Sequence, residues 1–88
     1  MYYVIAIRNT ELKRITATED KVFAKKMLKT NKDYVMETKI FTDKNKCVKF
    51  LNLHCDNLEN YSAIIDGEVA RYKDKTTIER LKKILKEK

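Results

Sequence analysis

The apolar residues change period at Thr18, and that change splits the first part of the chain into a strand pair and a helix. Upstream, Tyr2–Arg8 and Glu11–Ala17 are two runs that read as strands, the first of them β-branched and aromatic. Asn9 and Thr10 form the turn between them, and in a tight hairpin Arg8 faces Glu11 as a favourable cross-strand pair. Downstream, Val22, Phe23, Ala24, Met27 and Leu28 fall on one helical stripe, while Lys21, Lys25, Lys26 and Lys29 face elsewhere. Thr18 is the expected N-cap, with Glu19 and Asp20 in the first turn where the helix dipole favours acids. The helix is expected to end near Asn31.

Tyr34–Phe41 follows as a strand, with Tyr34, Met36, Thr38 and Ile40 alternating against Val35, Glu37, Lys39 and Phe41. Thr42 or Asp43 caps a second helix whose buried side carries Cys47, Val48, Leu51, Cys55 and Leu58, with Phe50 beside them. Asp66-Gly67 lies between the apolar runs Ile64-Ile65 and Val69, which predicts a hairpin with a type I′ turn; the competing reading starts a helix near Asp66. Thr76 and Glu79 have capping-box spacing, and Ile78, Leu81, Ile84 and Leu85 make the stripe of a last helix. The expectation is an α+β fold, one domain over residues 1–88. Its order is β-β-α-β-α-(β-β)-α, with three helices against an antiparallel or mixed sheet. The strand at residues 2–8, if it is a sheet edge, or the last helix would serve a homodimer.

A chain of 88 residues, 43% hydrophobic and 38% charged, builds a thin core, so function is expected on the surface rather than in an enclosed cavity. The apolar start lacks a basic leader region and meets Arg8 early, and nothing approaches the roughly 20 apolar residues of a membrane span. A cytoplasmic location is expected. On one helix Cys47 and Cys55 stand roughly 12 Å apart, too far for a disulfide, which argues for free thiols in a reducing compartment.

Twenty Lys and Arg against 13 Asp and Glu give +7, a field that attracts polyanions. The surplus is uneven: +5 over residues 1–32, −1 over 33–60 and +3 over 61–88. It therefore belongs to the first helix with its hairpin and to the last helix. If those helices share a sheet face, Lys25, Lys26, Lys29, Lys82, Lys83 and Lys86 merge into one basic surface for phosphates. Arginine, the better fork for reading bases, occurs only four times. Tyr2 and Tyr3 point to opposite sides of their strand, which offers one of them to solvent, and Tyr61 and Tyr72 pair across the Asp66-Gly67 hairpin, with Arg71 beside them as a partner-binding candidate. The favoured expectation is that most of these tyrosines pack in the core or at its rim with the hydroxyl at water.

Catalytic chemistry is weakly signalled. His54 beside Cys55 and seven residues after Cys47 lacks the paired spacing of a zinc site. Cys47 has no neighbouring base, Ser62 has no elbow motif, and Gly67 alone builds no phosphate loop. No catalytic residue, metal or cofactor is expected.

Phe41-Thr42-Asp43-Lys44-Asn45-Lys46-Cys47-Val48-Lys49-Phe50-Leu51 and the opening Tyr2-Tyr3-Val4-Ile5 carry a resemblance. On them, residues 2–52 resemble the viroplasmin-like domain at the amino terminus of some ribonucleases H. Thr10–Thr18 stands where that family has a Gly-Ile-Tyr turn and a Trp. The resemblance implies binding to RNA–DNA hybrids or double-stranded RNA. Size and composition also look like those of small phage accessory proteins, including anti-CRISPR inhibitors. The expected function is a non-enzymatic basic module contacting nucleic acid, or a nucleic-acid-handling protein complex, through its Lys-rich helices. The alternative is a phage-type inhibitor that blocks a host defence nucleoprotein by protein–protein contact, anchored by residues such as Tyr61, Arg71 or Tyr72.

Overall fold

Asn9 and Thr10 take left-handed backbone, φ 52° and 62°, and close the hairpin between β1 (Tyr2–Arg8) and β2 (Glu11–Thr18). Positive φ at both central residues is the type I′ geometry that matches strand twist. Arg8 stands opposite Glu11, and a register shift between Ala6 and Ile7 puts Leu12 on the same face as Ile15. The computed structural model describes residues 1–58, 60–70 and 75–86, the side chains of 69 and 70 excepted. After the hairpin come α1 (Lys21–Asp33), β3 (Glu37–Phe41), α2 (Lys44–His54), β4 (Ser62–Ile65), β5 (Glu68–Ala70) and α3 (Lys75–Lys86). This is the expected α+β order, and the sheet is mixed.

Several boundaries move for local reasons. β2 keeps its pairing with β1 through Thr18, so Thr18 ends a strand and Asp20 caps α1. The Asp20 carboxylate accepts from the Val22 and Phe23 amides at 2.9 and 3.2 Å, while the Thr18 hydroxyl accepts from the Asp20 amide. Val22, expected on the buried stripe, is exposed, and Asn31 takes an interior place instead. Burying an amide is tolerated because both its ends are bonded: Arg14 donates to Oδ1 at 3.3 Å, and Nδ2 donates to the Thr38 hydroxyl at 3.1 Å. Thr38 in turn donates to the Ile5 carbonyl.

With Asn31 inside, α1 runs on to Asp33, and Tyr34–Met36, expected in the third strand, form its C-cap instead. Val35 and Met36 donate to the Lys32 and Asn31 carbonyls at 2.9 and 3.0 Å, a Schellman arrangement with Val35 at φ 57° where glycine is usual. Asp43, one of the two residues expected to cap α2, caps it through the Asn45 amide. Asp66 and Gly67, φ 47° and 87°, form the expected turn of the β4–β5 hairpin, so no helix starts there. Helix α3 begins at Lys75, which leaves Thr76 within the first turn and not at its cap.

The strand order is β3-β1-β2-β4-β5. β1 is therefore interior, bonded to β2 and β3, and the expected dimer edge at residues 2–8 does not exist. β2, β3 and β4 run the same way, since β2 and β3 are both antiparallel to β1 and β4 is parallel to β2. The β2-α1-β3 and β3-α2-β4 connections are thus parallel crossovers running in opposite directions along the sheet. Crossovers of one hand that run in opposite directions must put their helices on opposite faces. That is where they lie. Val4 and Ile64 meet Ala24 and Met27 of α1 on one face. Tyr3, Ile5, Ile15, Ala63 and Ile65 meet Cys47 and Leu51 of α2 and Ile78 and Leu81 of α3 on the other.

Candidate functional site

Two basic surfaces exist, and the sheet separates them. Lys25, Lys26 and Lys29 are exposed on α1, and Lys82, Lys83 and Lys86 are exposed on α3. α1 and α3 occupy opposite faces, so the condition for one merged basic surface, both helices on one sheet face, is not met. Arg71 and Tyr72, and with them the Tyr61–Tyr72 pairing, lie outside the described residues.

The α1 surface is the more uniform. No acid interrupts the helix between Lys21 and Lys32, and Lys21, Lys25, Lys26, Lys29 and Lys32 are all exposed. At 3.6 residues per turn the five span a sector of about 140° and about 16 Å of axis. None takes part in an ion pair among the described residues, where the pairs are Met1–Glu19, Lys13–Glu11 and Arg80–Glu68. Lys32 was not counted because it lies one residue past the expected helix end near Asn31, although its spacing from Lys25 and Lys29 continues the row. Tyr34 stands at the end of this row, 62% exposed, and the Arg8 guanidinium donates to its carbonyl. The two tyrosines of β1 pack instead, as favoured from the sequence. Tyr3 is buried in the α2–α3 core and Tyr2 is half-buried against the α1 cluster.

On α3 the row is broken by Glu79, and Arg80 is held by Glu68 at 2.7 Å. Here the distinctive element is apolar. A cleft of about 190 Å³ opens between α2 and α3, floored by Leu12, Ile15 and Tyr61 and edged by Lys82 and Lys86. Tyr61, proposed from the sequence as a surface anchor, is 5% exposed, and burial raises its phenol pKa.

The thiols and the imidazole do not converge. Cys47 is fully buried, and desolvation pushes its pKa from 9.0 up to about 12, which disfavours the nucleophilic thiolate. Cys55 caps the C-terminus of α2 and is buried as well, its pKa raised by desolvation first and then by the Asp56 and Glu37 charges. His54 is exposed and lies on Phe50, ring centroids 4.3 Å apart, next to the Phe41–Phe50 pair and the Lys39 ammonium over the Phe50 ring. Among the described residues no group of three His, Cys, Asp or Glu side chains is placed to hold a metal ion. No described helix is long and apolar enough to cross a membrane. No family model, curated protein or solved structure matches the chain.

Proposed function

We propose that this protein is a non-enzymatic nucleic-acid-binding module that grips the phosphate backbone with α1. The observation that carries the reading is the acid-free row of five exposed lysines, Lys21, Lys25, Lys26, Lys29 and Lys32, with no described ion pair to neutralise it. Ammonium groups one helical turn apart, about 6 Å along the axis, meet successive phosphates without reading base edges. Tyr34 and Arg8 at the end of the row offer a surface on which an unpaired base stacks. Binding of this kind is sequence-independent and falls steeply with salt.

The test is fluorescence anisotropy against labelled single-stranded DNA, duplex DNA, duplex RNA and an RNA–DNA hybrid, at low and physiological salt. The double variant Lys25→Glu/Lys29→Glu sits on solvent-facing positions and leaves the core intact. It is expected to abolish binding at physiological salt, and Lys25→Gln/Lys29→Gln to lower the salt slope on duplex by about 2. Tyr34→Ala is expected to weaken single strands more than duplexes, and a preference for the hybrid would support the viroplasmin-like resemblance. Equal affinity of wild type and the Glu variant for every probe refutes the reading. The alternative, a phage-type inhibitor of a nucleic-acid-handling complex, draws support from the placement of the α3 lysines away from α1 and beside an apolar cleft.

A further inference from the structure

The face opposite α1 carries a recognition surface that phosphate binding leaves unused. Between α2 and α3 the surface is indented: Val48, Leu58 and Leu85 stand partly exposed around a cleft, above the buried Leu12, Ile15, Leu51 and Leu81. Its volume of about 190 Å³ exceeds the roughly 150 Å³ of an apolar cavity known to hold benzene, and falls short of the roughly 300 Å³ at which drug-sized ligand sites begin. One bulky side chain fits; a whole cofactor does not. Outward, Val48, Asn52 and Leu85 are shared with a shallower groove that takes in Lys49 and the 70% exposed Leu53. The result is an apolar cleft continued by a shallower seam, with ammonium groups at Lys49, Lys82 and Lys86 along its sides.

We infer that the α2–α3 seam docks an acidic amphipathic helix of a partner protein, which inserts one Leu or Phe side chain into the cleft and sets its carboxylates against Lys82, Lys86 and Lys49. This is recognition of a helix by a groove, with a central buried anchor and a charged rim. A second copy of this chain is the wrong occupant. The exposed Val22 lies on α1 beside Lys21, and the exposed Val35 follows the end of α1 near Lys32, so each would bring like charge to the lysine rim. Nucleic acid fits poorly too, because the lining is aliphatic and Tyr61 is buried in the floor, with no open ring face for a base.

The experiment uses a dye-labelled synthetic helix of Glu with Leu and Phe at positions i, i+3, i+4 and i+7. Its comparisons are a scrambled peptide of the same composition, a (dT) oligonucleotide and dodecanoate. Saturable binding of the amphipathic peptide is expected, with methyl NMR shifts at Leu51, Leu81 and Leu85. Lys82→Glu/Lys86→Glu, at two exposed positions that leave the core intact, is expected to weaken it by about tenfold or more. Leu85→Ala should weaken it as well, with circular dichroism confirming that the variant is folded. Lys25→Glu/Lys29→Glu on α1 should leave it unchanged, so this test and that of the nucleic-acid reading fail separately. The inference is overturned by no saturable binding, by equal binding of the scrambled peptide, by unchanged affinity of the Lys82/Lys86 variant, or by displacement with dodecanoate or (dT) from the same cleft.

Discussion

Val35→Gly is expected to stabilise this protein, an unusual result for the loss of an apolar side chain. Val35 occupies the C′ position of α1 at φ 57°, with its amide on the Lys32 carbonyl and the next amide on the Asn31 carbonyl. An L-residue in left-handed backbone costs about 1–2 kcal/mol, and a β-branched one belongs near the upper end. The side chain recovers little, since it is 86% exposed. Complete burial of a valine is worth at most about 3 kcal/mol, so the small buried remainder contributes about 0.3 kcal/mol. Against the relief stands the greater freedom of glycine in the unfolded chain, about 0.5–1 kcal/mol. The net gain is about 1 kcal/mol, which in a domain of this size raises Tm by about 4–8 °C. Urea unfolding followed at 222 nm measures it directly, and Val35→Ala is the control because it keeps a Cβ in the left-handed region. The alanine variant, which sheds the β-branch but keeps the Cβ, should fall between wild type and the glycine variant. If glycine proves neutral or destabilising, or if alanine stabilises equally, backbone strain at Val35 is not the cause.

Asp20→Ala removes the carboxylate that accepts from the Val22 and Phe23 amides, and should cost about 1 kcal/mol in urea unfolding, with Asp20→Asn, which keeps an accepting oxygen, costing less. Cys47 gives the protein an alkaline limit. Its folded pKa is raised to about 12 from 9.0, so the unfolded thiol ionises first; the contribution is complete below pH 9 and is lost as pH rises towards 12. By pH 10 the loss from this thiol is about 1.4 kcal/mol, and Cys47→Ala should flatten that part of the profile. An identical alkaline decline in the variant would assign it to other groups.

How much of this molecule its sequence discloses depends on the range of the forces involved. The hairpin at Asn9-Thr10, the Asp66-Gly67 turn, the stripe of α3 and that of α1 apart from Val22 are legible because each is decided by neighbours a few residues away. The end of α1 is not. A glycine at position 35 would have announced the stop, but valine stands there, and the alternation of Tyr34 with Met36 imitates a strand. Asn31 misleads for a complementary reason: its amide looks like a surface group until Arg14 and Thr38 arrive from other strands to satisfy it. The faces of the helices were the costliest omission. The lysines on α1 and α3 are plain in the sequence, but whether they join depends on strand order. That order is set by β3 pairing with β1 and β4 with β2, contacts far apart along the chain. The cleft is hidden for the same reason, since Val48 and Leu85 look like ordinary stripe residues until the two helices are set beside each other.

Opposed crossovers also fix how the two proposed surfaces communicate. The Cα extents are 29 × 29 × 25 Å, so partners on opposite faces sit two or more Debye lengths apart at physiological ionic strength, where that length is about 8 Å. The sheet between them is closed by side chains such as Ile5, Ile15 and Ala17 that are fully buried, and close-packed layers of this kind transmit little unless they have a second arrangement to switch to. An oligonucleotide on α1 and an acidic helix on the α2–α3 seam should therefore bind independently at 0.15 M salt, within about 0.5 kcal/mol of additivity. Near 0.01 M salt the Debye length grows to about 30 Å and spans the molecule. There each polyanion cancels positive charge that attracts the other, and the two should compete without touching. Calorimetric titration of the peptide into free and oligonucleotide-saturated protein at both salts separates the cases. Competition that persists at 0.15 M would mean that the two ligands share one surface, and the division of labour between the faces would be wrong.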